Sequence, residues 1–185
     1  MKKSLIALAA AACLGAGSAQ ADTLDFEAFP TGDLGSTVLV MPNATVTGFG
    51  TSLFNLSAFY GMGSGGAICS LNFSNCEADL QIDFSGAVSG LTFRTYGYDG
   101  GDSVAISAYA GATLLGTVGV SSDTLVDFSA FSGVTRLTMD DSSTGAGFGY
   151  GSFEFTPAVP EPGTYALMLA GLGALGAAAR RRRAD

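Results

Sequence analysis

The sequence predicts an all-β fold, an antiparallel sandwich or barrel, for a central stretch from residue 22 to residue 158, and three observations predict it. Short runs rich in Val, Ile, Thr, Phe and Tyr alternate with clusters of Gly, Ser, Asn and Asp about every 8 to 12 residues. No part of that stretch keeps a helical period. The sharpest local pattern sets Leu80, Ile82 and Phe84 against Asp79, Gln81 and Asp83, an alternation of period two that places three apolar side chains on one face of a strand and three polar ones on the other.

Taken in order, strands are expected near residues 23–27, 37–40, 44–48, 52–56, 67–70, 79–84, 89–96, 103–110, 113–120, 124–128, 133–139 and 147–156. A Gly-rich stretch at 57–66 and a second at 142–147 read as loops. Residues 89–120 read as two consecutive hairpins. Leu91, Phe93 and Thr95 share a face, Asp99-Gly100-Gly101-Asp102 turns the chain, and Val104, Ile106 and Ala108 share the next face. Gly111-Ala112 then turns it into Leu114 and Val118, adjacent glycines or small residues supplying the backbone freedom that tight turns need. Val134, Leu137 and Met139 break strict alternation, which places a bulge or register change near Arg136. Phe148, Tyr150, Phe153 and Phe155 form a last strand loosened by glycine.

The two ends carry a different kind of information. Lys2 and Lys3 precede an apolar stretch that runs from Leu5 to about Gly15, and Ala19-Gln20-Ala21 follows, with small residues where a signal peptidase cuts. Residues 1–21 therefore read as a signal peptide, with Ala19 and Ala21 marking the cleavage site. The far end, residues 159–185, has three parts. Val159, Pro160, Glu161 and Pro162 form a rigid, extended step, because the prolines fix φ and disfavour helix before them. An uncharged apolar run from Gly163 to Ala179 is just long enough to cross a bilayer as a helix. Arg180, Arg181, Arg182 and Arg183 close it, and flanking arginines are retained on the cytoplasmic side.

This order resembles the PEP-CTERM sorting signal of Gram-negative bacteria. The resemblance implies that an exosortase, an integral-membrane transpeptidase-like enzyme, recognises Pro160–Pro162 and removes the tail from an inner-membrane intermediate, leaving the product at the cell surface or outside the cell. It further implies association with exopolysaccharide, since exosortase systems travel with polysaccharide-producing loci. The arrangement between the signals, over about residues 80–156, also looks like the jelly-roll-like β-sandwich ectodomains attached to this signal, with an opening LDFE, the Tyr-Asp-Gly-Gly-Asp turn, the Leu-Gly-Thr-Val strand and the final aromatic strand.

Charge and composition narrow the function. Between residues 22 and 158 stand fourteen carboxylates and two bases, Arg94 and Arg136, for a net charge of roughly −12. That excludes nucleic acid as a partner, because such affinity comes from Lys and Arg on phosphates. Cys69 and Cys76 are expected to form a disulfide, since an exported chain meets an oxidising compartment. The chain holds no His. Its lysines lie only in the signal peptide, so Ser-His, Ser-Lys and Schiff-base chemistry are excluded, and both remaining cysteines are taken up by the bridge.

What survives is a carboxylate pair drawn from Asp99, Asp102, Asp140, Asp141, Glu27 and Glu154, as a glycosidase would use. The same acids could instead hold Ca²⁺, Asp99 with Asp102 in one turn and Asp140 with Asp141 at a strand end, or simply serve turns and solubility. With no Trp present, Phe59, Tyr60, Tyr96 and Tyr98 are the candidate platforms for sugar rings. The reading is a non-enzymatic structural or binding protein of the cell surface or matrix. A calcium-stabilised carbohydrate-binding module and a carboxylate-dependent glycosidase are the alternatives.

Overall fold

Twelve strands follow one another along the chain: β1 (Asp22–Leu24), β2 (Gly32–Asp33), β3 (Val38–Val40), β4 (Ala44–Gly48), β5 (Ser52–Asn55), β6 (Ala67–Asn72), β7 (Asn75–Ala78), β8 (Leu80–Tyr96), β9 (Val104–Ala110), β10 (Thr113–Val120), β11 (Leu125–Asp141) and β12 (Gly149–Pro157). The structure is a computed structural model, and it describes residues 20–56, 66–97, 100–143, 146–158, 169 and 171–173. Every pairing between these strands is antiparallel, and all twelve join in one sheet. Gln20–Ala158 form one compact unit.

The sheet is organised by its two longest strands, β8 and β11, each of 17 residues. They pair along most of their length, Leu125 to Phe128 opposite Arg94 to Leu91 and Arg136 to Met139 opposite Asp83 to Leu80. Between those segments the register slips, at Ser132, at Val134 and again before Arg136, and then returns to its earlier alignment. The expected irregularity near Arg136 is thus present. On its other edge β8 takes β4 along Leu80–Phe84 and β12 along Val88–Tyr96, so the sheet divides there into two halves. One half runs β3-β4-β8-β11-β9-β10, and the other continues from β8 through β12, β6 and β5 to β2.

Burial follows from the period-two rule. Leu80, Ile82, Phe84, Val88, Leu91 and Phe93 of β8 are buried, as are Val126, Phe128, Val134, Leu137 and Met139 of β11, and both sets belong to one core with residues of both halves. No helix among the described residues is available to cover that face, so the sheet bends over its own apolar side, which is the packing logic of a sandwich. Phe153 of β12 stacks on Phe93 with ring centroids 4.5 Å apart and meets Phe26 edge-on at 6.1 Å. Buried Asn55 donates to the carbonyls of Phe26 and Phe29 and so ties the turn after β1 to β5.

Three expectations change. The segments 79–84 and 89–96 are one strand, as are 124–128 and 133–139, because each long strand finds a partner across the intervening Ser-Gly stretch. The short strands β2 and β7 carry too few residues to show a pattern. Among the described residues β8 and β9 do not pair, since β11 lies between them. The Gly100-Gly101 segment, with φ of 86° and 104°, therefore leads a crossover and not a hairpin. The second expected hairpin is present, with Ala110 opposite Thr113 across Gly111-Ala112.

In the tail, Leu169 and Gly171–Gly173 are helical. No helix among the described residues is long and apolar enough to cross a membrane. The expected span at 163–179 lies mostly outside the described residues, as do residues 1–19 and therefore Ala19.

Candidate functional site

The acidic residues of the fold sit in distinct environments. Asp25, Asp33, Asp127 and Asp141 each accept a hydrogen bond from the backbone N–H two residues on, at 2.7 to 2.8 Å. This is the Asx geometry for which Asp is favoured at turns. The Gly35 N–H holds the Asp33 carboxyl below its ordinary range, and the Ser129 hydroxyl does the same for Asp127.

Asp141 differs because β11 carries it inward. Burial pushes its carboxyl above the usual range, against hydrogen bonds from Ser143 and from the Tyr150 hydroxyl at 3.3 Å. Tyr150 is itself buried in β12, and burial, with the Asp141 charge next and those of Asp79 and Asp102 behind it, raises its phenol well above 10. Asp79 meanwhile accepts the Asp141 backbone N–H at 2.9 Å. Asp102 is buried and Asp140 is exposed. Neighbouring residues of a strand face opposite ways, so Asp140 and Asp141 do not converge on one point. Asp99 lies outside the described residues. No group of three or more His, Cys, Asp or Glu among the described residues is placed to hold a metal ion.

The structure joins Cys69 to Cys76, with Cα atoms 5.4 Å apart across the β6–β7 hairpin. Cys69 packs with Leu56, Ala67 and Leu71 in a second, smaller core, against which Phe54, Cys76 and Tyr96 lie partly buried. Tyr96, the one described residue of the candidate sugar platform, thus packs one side of its ring on this smaller core. Phe59, Tyr60 and Tyr98 lie outside the described residues. The Cys76 N–H bonds the Ala146 carbonyl at 2.8 Å, and at Gly147 (φ 74°) a Cβ would stand 1.8 Å from the Cys76 carbonyl oxygen. The described ends of the 142–147 loop are therefore tied down. Ser142 donates its N–H and its hydroxyl to the Ser103 carbonyl, at 2.8 and 3.0 Å.

One charged set escaped the sequence reading. Asp83, on the outer face of β8, accepts from Arg136 Nε on β11 at 2.6 Å and from Gln81 Nε2 at 2.6 Å. Asp83 and Arg136 lie 53 residues apart in sequence and meet only through the β8–β11 register. Glu27 and Glu154 are exposed, Glu154 on the outer face of β12 beside Thr92.

The ordered sheet ends one residue before the tail. Ala158 donates its N–H to the Ala87 carbonyl at 2.8 Å, directly after Pro157 ends β12. From there the chain matches a known family model. Residues 158–183 are a PEP-CTERM protein-sorting motif. It takes in the expected sorting residues, Val159, Pro160, Glu161, Pro162 and Arg180–Arg183, all of them outside the described residues. The PEP-CTERM motif implies an exosortase as processing partner, export, and a fate at the cell surface or outside the cell. It spans none of the twelve strands. A search among curated proteins found no match.

Proposed function

We propose that this chain is a surface or extracellular-matrix binding protein, made as a precursor with a signal peptide at 1–21, a β-sandwich ectodomain of jelly-roll type at 22–158 and a sorting tail at 159–185. The observation that carries the reading is the junction. The PEP-CTERM motif begins at residue 158, where the sheet stops, and Pro160 follows the last residue of β12 by three positions. Three extended residues reach at most about 11 Å, so an exosortase meets its recognition step beside a finished fold. Cleavage there removes no strand.

The tail acts as a transient membrane span, with Arg180–Arg183 on the cytoplasmic side and the ectodomain outside. After processing, the product keeps no span, as with other removable C-terminal signals. Exopolysaccharide is the matrix component we assign to it. The ectodomain works by binding and not by catalysis. The lack of His anywhere in the chain, and of Lys between residues 22 and 158, supports this. Replacement of Glu161 by Ala tests the sorting step. We expect an uncleaved precursor in the inner membrane, seen by mass measurement of the intact protein; normal release of the variant would overturn the reading.

A further inference from the structure

We infer that the outer face of the half-sheet β3-β4-β8-β11-β9-β10 binds a neutral polysaccharide strand. This rests on the matrix-binding reading above and names the ligand class and the surface. The strand register aligns Thr47, Gln81, Thr138, Ser107 and Thr117 in one row across five strands. Strands lie about 4.8 Å apart, so the row presents hydroxyl and amide groups over about 19 Å. All five are on the polar side of their strands, and Ser107 Oγ lies 2.8 Å from Thr117 Oγ1. Such a row offers both donors and acceptors at repeated spacing, which is what the hydroxyls along a sugar chain require.

The neighbouring row supplies fixed charge and an aromatic ring. Asp83, Arg136 and Tyr109 stand side by side in register, and the row ends at exposed Val40 on one edge and exposed Leu114 on the other. Asp83 is held by both Gln81 and Arg136, so its carboxylate is oriented before any ligand arrives, while 35% of its side chain and 45% of that of Arg136 remain open to solvent. A guanidinium has five N–H donors, and the Asp83 contact uses the one on Nε. The Tyr109 side chain is only partly buried and gives an apolar surface for the C–H face of a ring.

Charge selects the occupant. Arg136 is one of two bases in residues 22–158, and it neutralises the one carboxylate of these two rows. The rows are thus near neutral on a strongly acidic module, which repels polyanions as a whole. Polar side chains dominate the centre of the face, unlike the apolar centre of a stable protein interface.

The test is native electrophoresis of the full chain, purified in detergent, through gels cast with hydroxyethylcellulose, dextran or galactomannan, and with alginate as a polyanion. We expect retardation by at least one neutral polymer and none by alginate. Arg136→Gln and Tyr109→Ala are each expected to weaken it about tenfold, the scale of one charged hydrogen bond or one ring contact. Thr138→Val, which keeps the strand shape, should weaken it less. Thermal unfolding of each variant checks that the fold persists. Thr156→Val, on the outer side of β12 in the other half, should bind as the parent does.

No retardation by any of the three neutral polymers would overturn the proposal. So would retardation by alginate alone, binding that the folded Arg136→Gln and Tyr109→Ala variants retain in full, or self-association lost in those variants in place of glycan binding. Because the purified chain is tested outside the cell, a negative result leaves the sorting reading standing, and failure of the Glu161→Ala experiment leaves this one standing.

Discussion

Breaking the Cys69–Cys76 bridge should cost the domain about 2.5 kcal/mol at 25 °C, from the loop-closure entropy that a cross-link of this length removes from the unfolded chain. The separation in sequence is 7 residues, which puts this bridge at the low end of the disulfide range. Against a total stability of about 5–15 kcal/mol for a domain, that is still a substantial share. The loss should be global. Ile68 and Cys69 of β6 are fully buried, and β6 pairs with β5, β7 and β12, so the hairpin cannot leave without opening the sheet.

Urea unfolding of the oxidised protein, of the same protein under reductant, and of the Cys69→Ala/Cys76→Ala double variant would measure it. The reduced protein should lose about 2.5 kcal/mol, or roughly 10 °C in Tm for a domain of this size. The double variant should lose about 1 kcal/mol more, because Cys69 is wholly buried and its sulfur packs as a small apolar group. A loss below about 0.5 kcal/mol on reduction, with the m-value unchanged, would refute the reasoning.

Other consequences follow from the packing and the pH-sensitive pair. At Gly151 a Cβ would stand 2.0 Å from the Gly66 carbonyl oxygen and 2.8 Å from the Ala67 Cα, backbone atoms held by the β12–β6 pairing, so Gly151→Ala should cost more than about 3 kcal/mol, read by denaturant unfolding. Because the folded Tyr150 phenol titrates well above 10 and an unfolded tyrosine near 10, its contribution is fully present below pH 10 and is lost as pH rises beyond it. Tyr150→Phe should therefore flatten the fall of Tm between pH 10 and 12; an unchanged slope would contradict the burial argument. For Asp141 the folded carboxyl is likewise raised, so stability is greatest below the ordinary carboxylate range and is lost as pH rises through the raised value. Asp141→Asn, whose Oδ1 still accepts from the Ser143 N–H while its Nδ2 donates to the Tyr150 hydroxyl oxygen, should be at least as stable as the parent at pH 7 by thermal unfolding.

Much of the strand order along the chain could be read locally. The alternation of Leu80, Ile82 and Phe84, of Leu91, Phe93 and Thr95, and of Val104, Ile106 and Ala108 is borne out residue by residue, all nine being buried. The aromatic spacing at Phe148, Tyr150, Phe153 and Phe155 also holds, with the register shift between Gly151 and Glu154 accounting for its break in period. Gly100-Gly101 misled because a paired glycine signals a change of direction without saying which strand comes next. Asp140 and Asp141 were grouped by adjacency, whereas a strand that continues to Asp141 sends them to opposite faces.

Residue chemistry and short-range periodicity were therefore enough for the all-β class, the inward-facing set, the disulfide partners and the sorting motif, since each depends on neighbours within a few positions. The adjacency of β11 to both β8 and β9 depends on contacts between segments far apart in the chain, where many pairings satisfy the same alternation. That choice belongs to the packed sheet as a whole. It brings Arg136 to Asp83, Tyr150 to Asp141, and five polar side chains from five strands into one row, none of which leaves a local mark in the sequence.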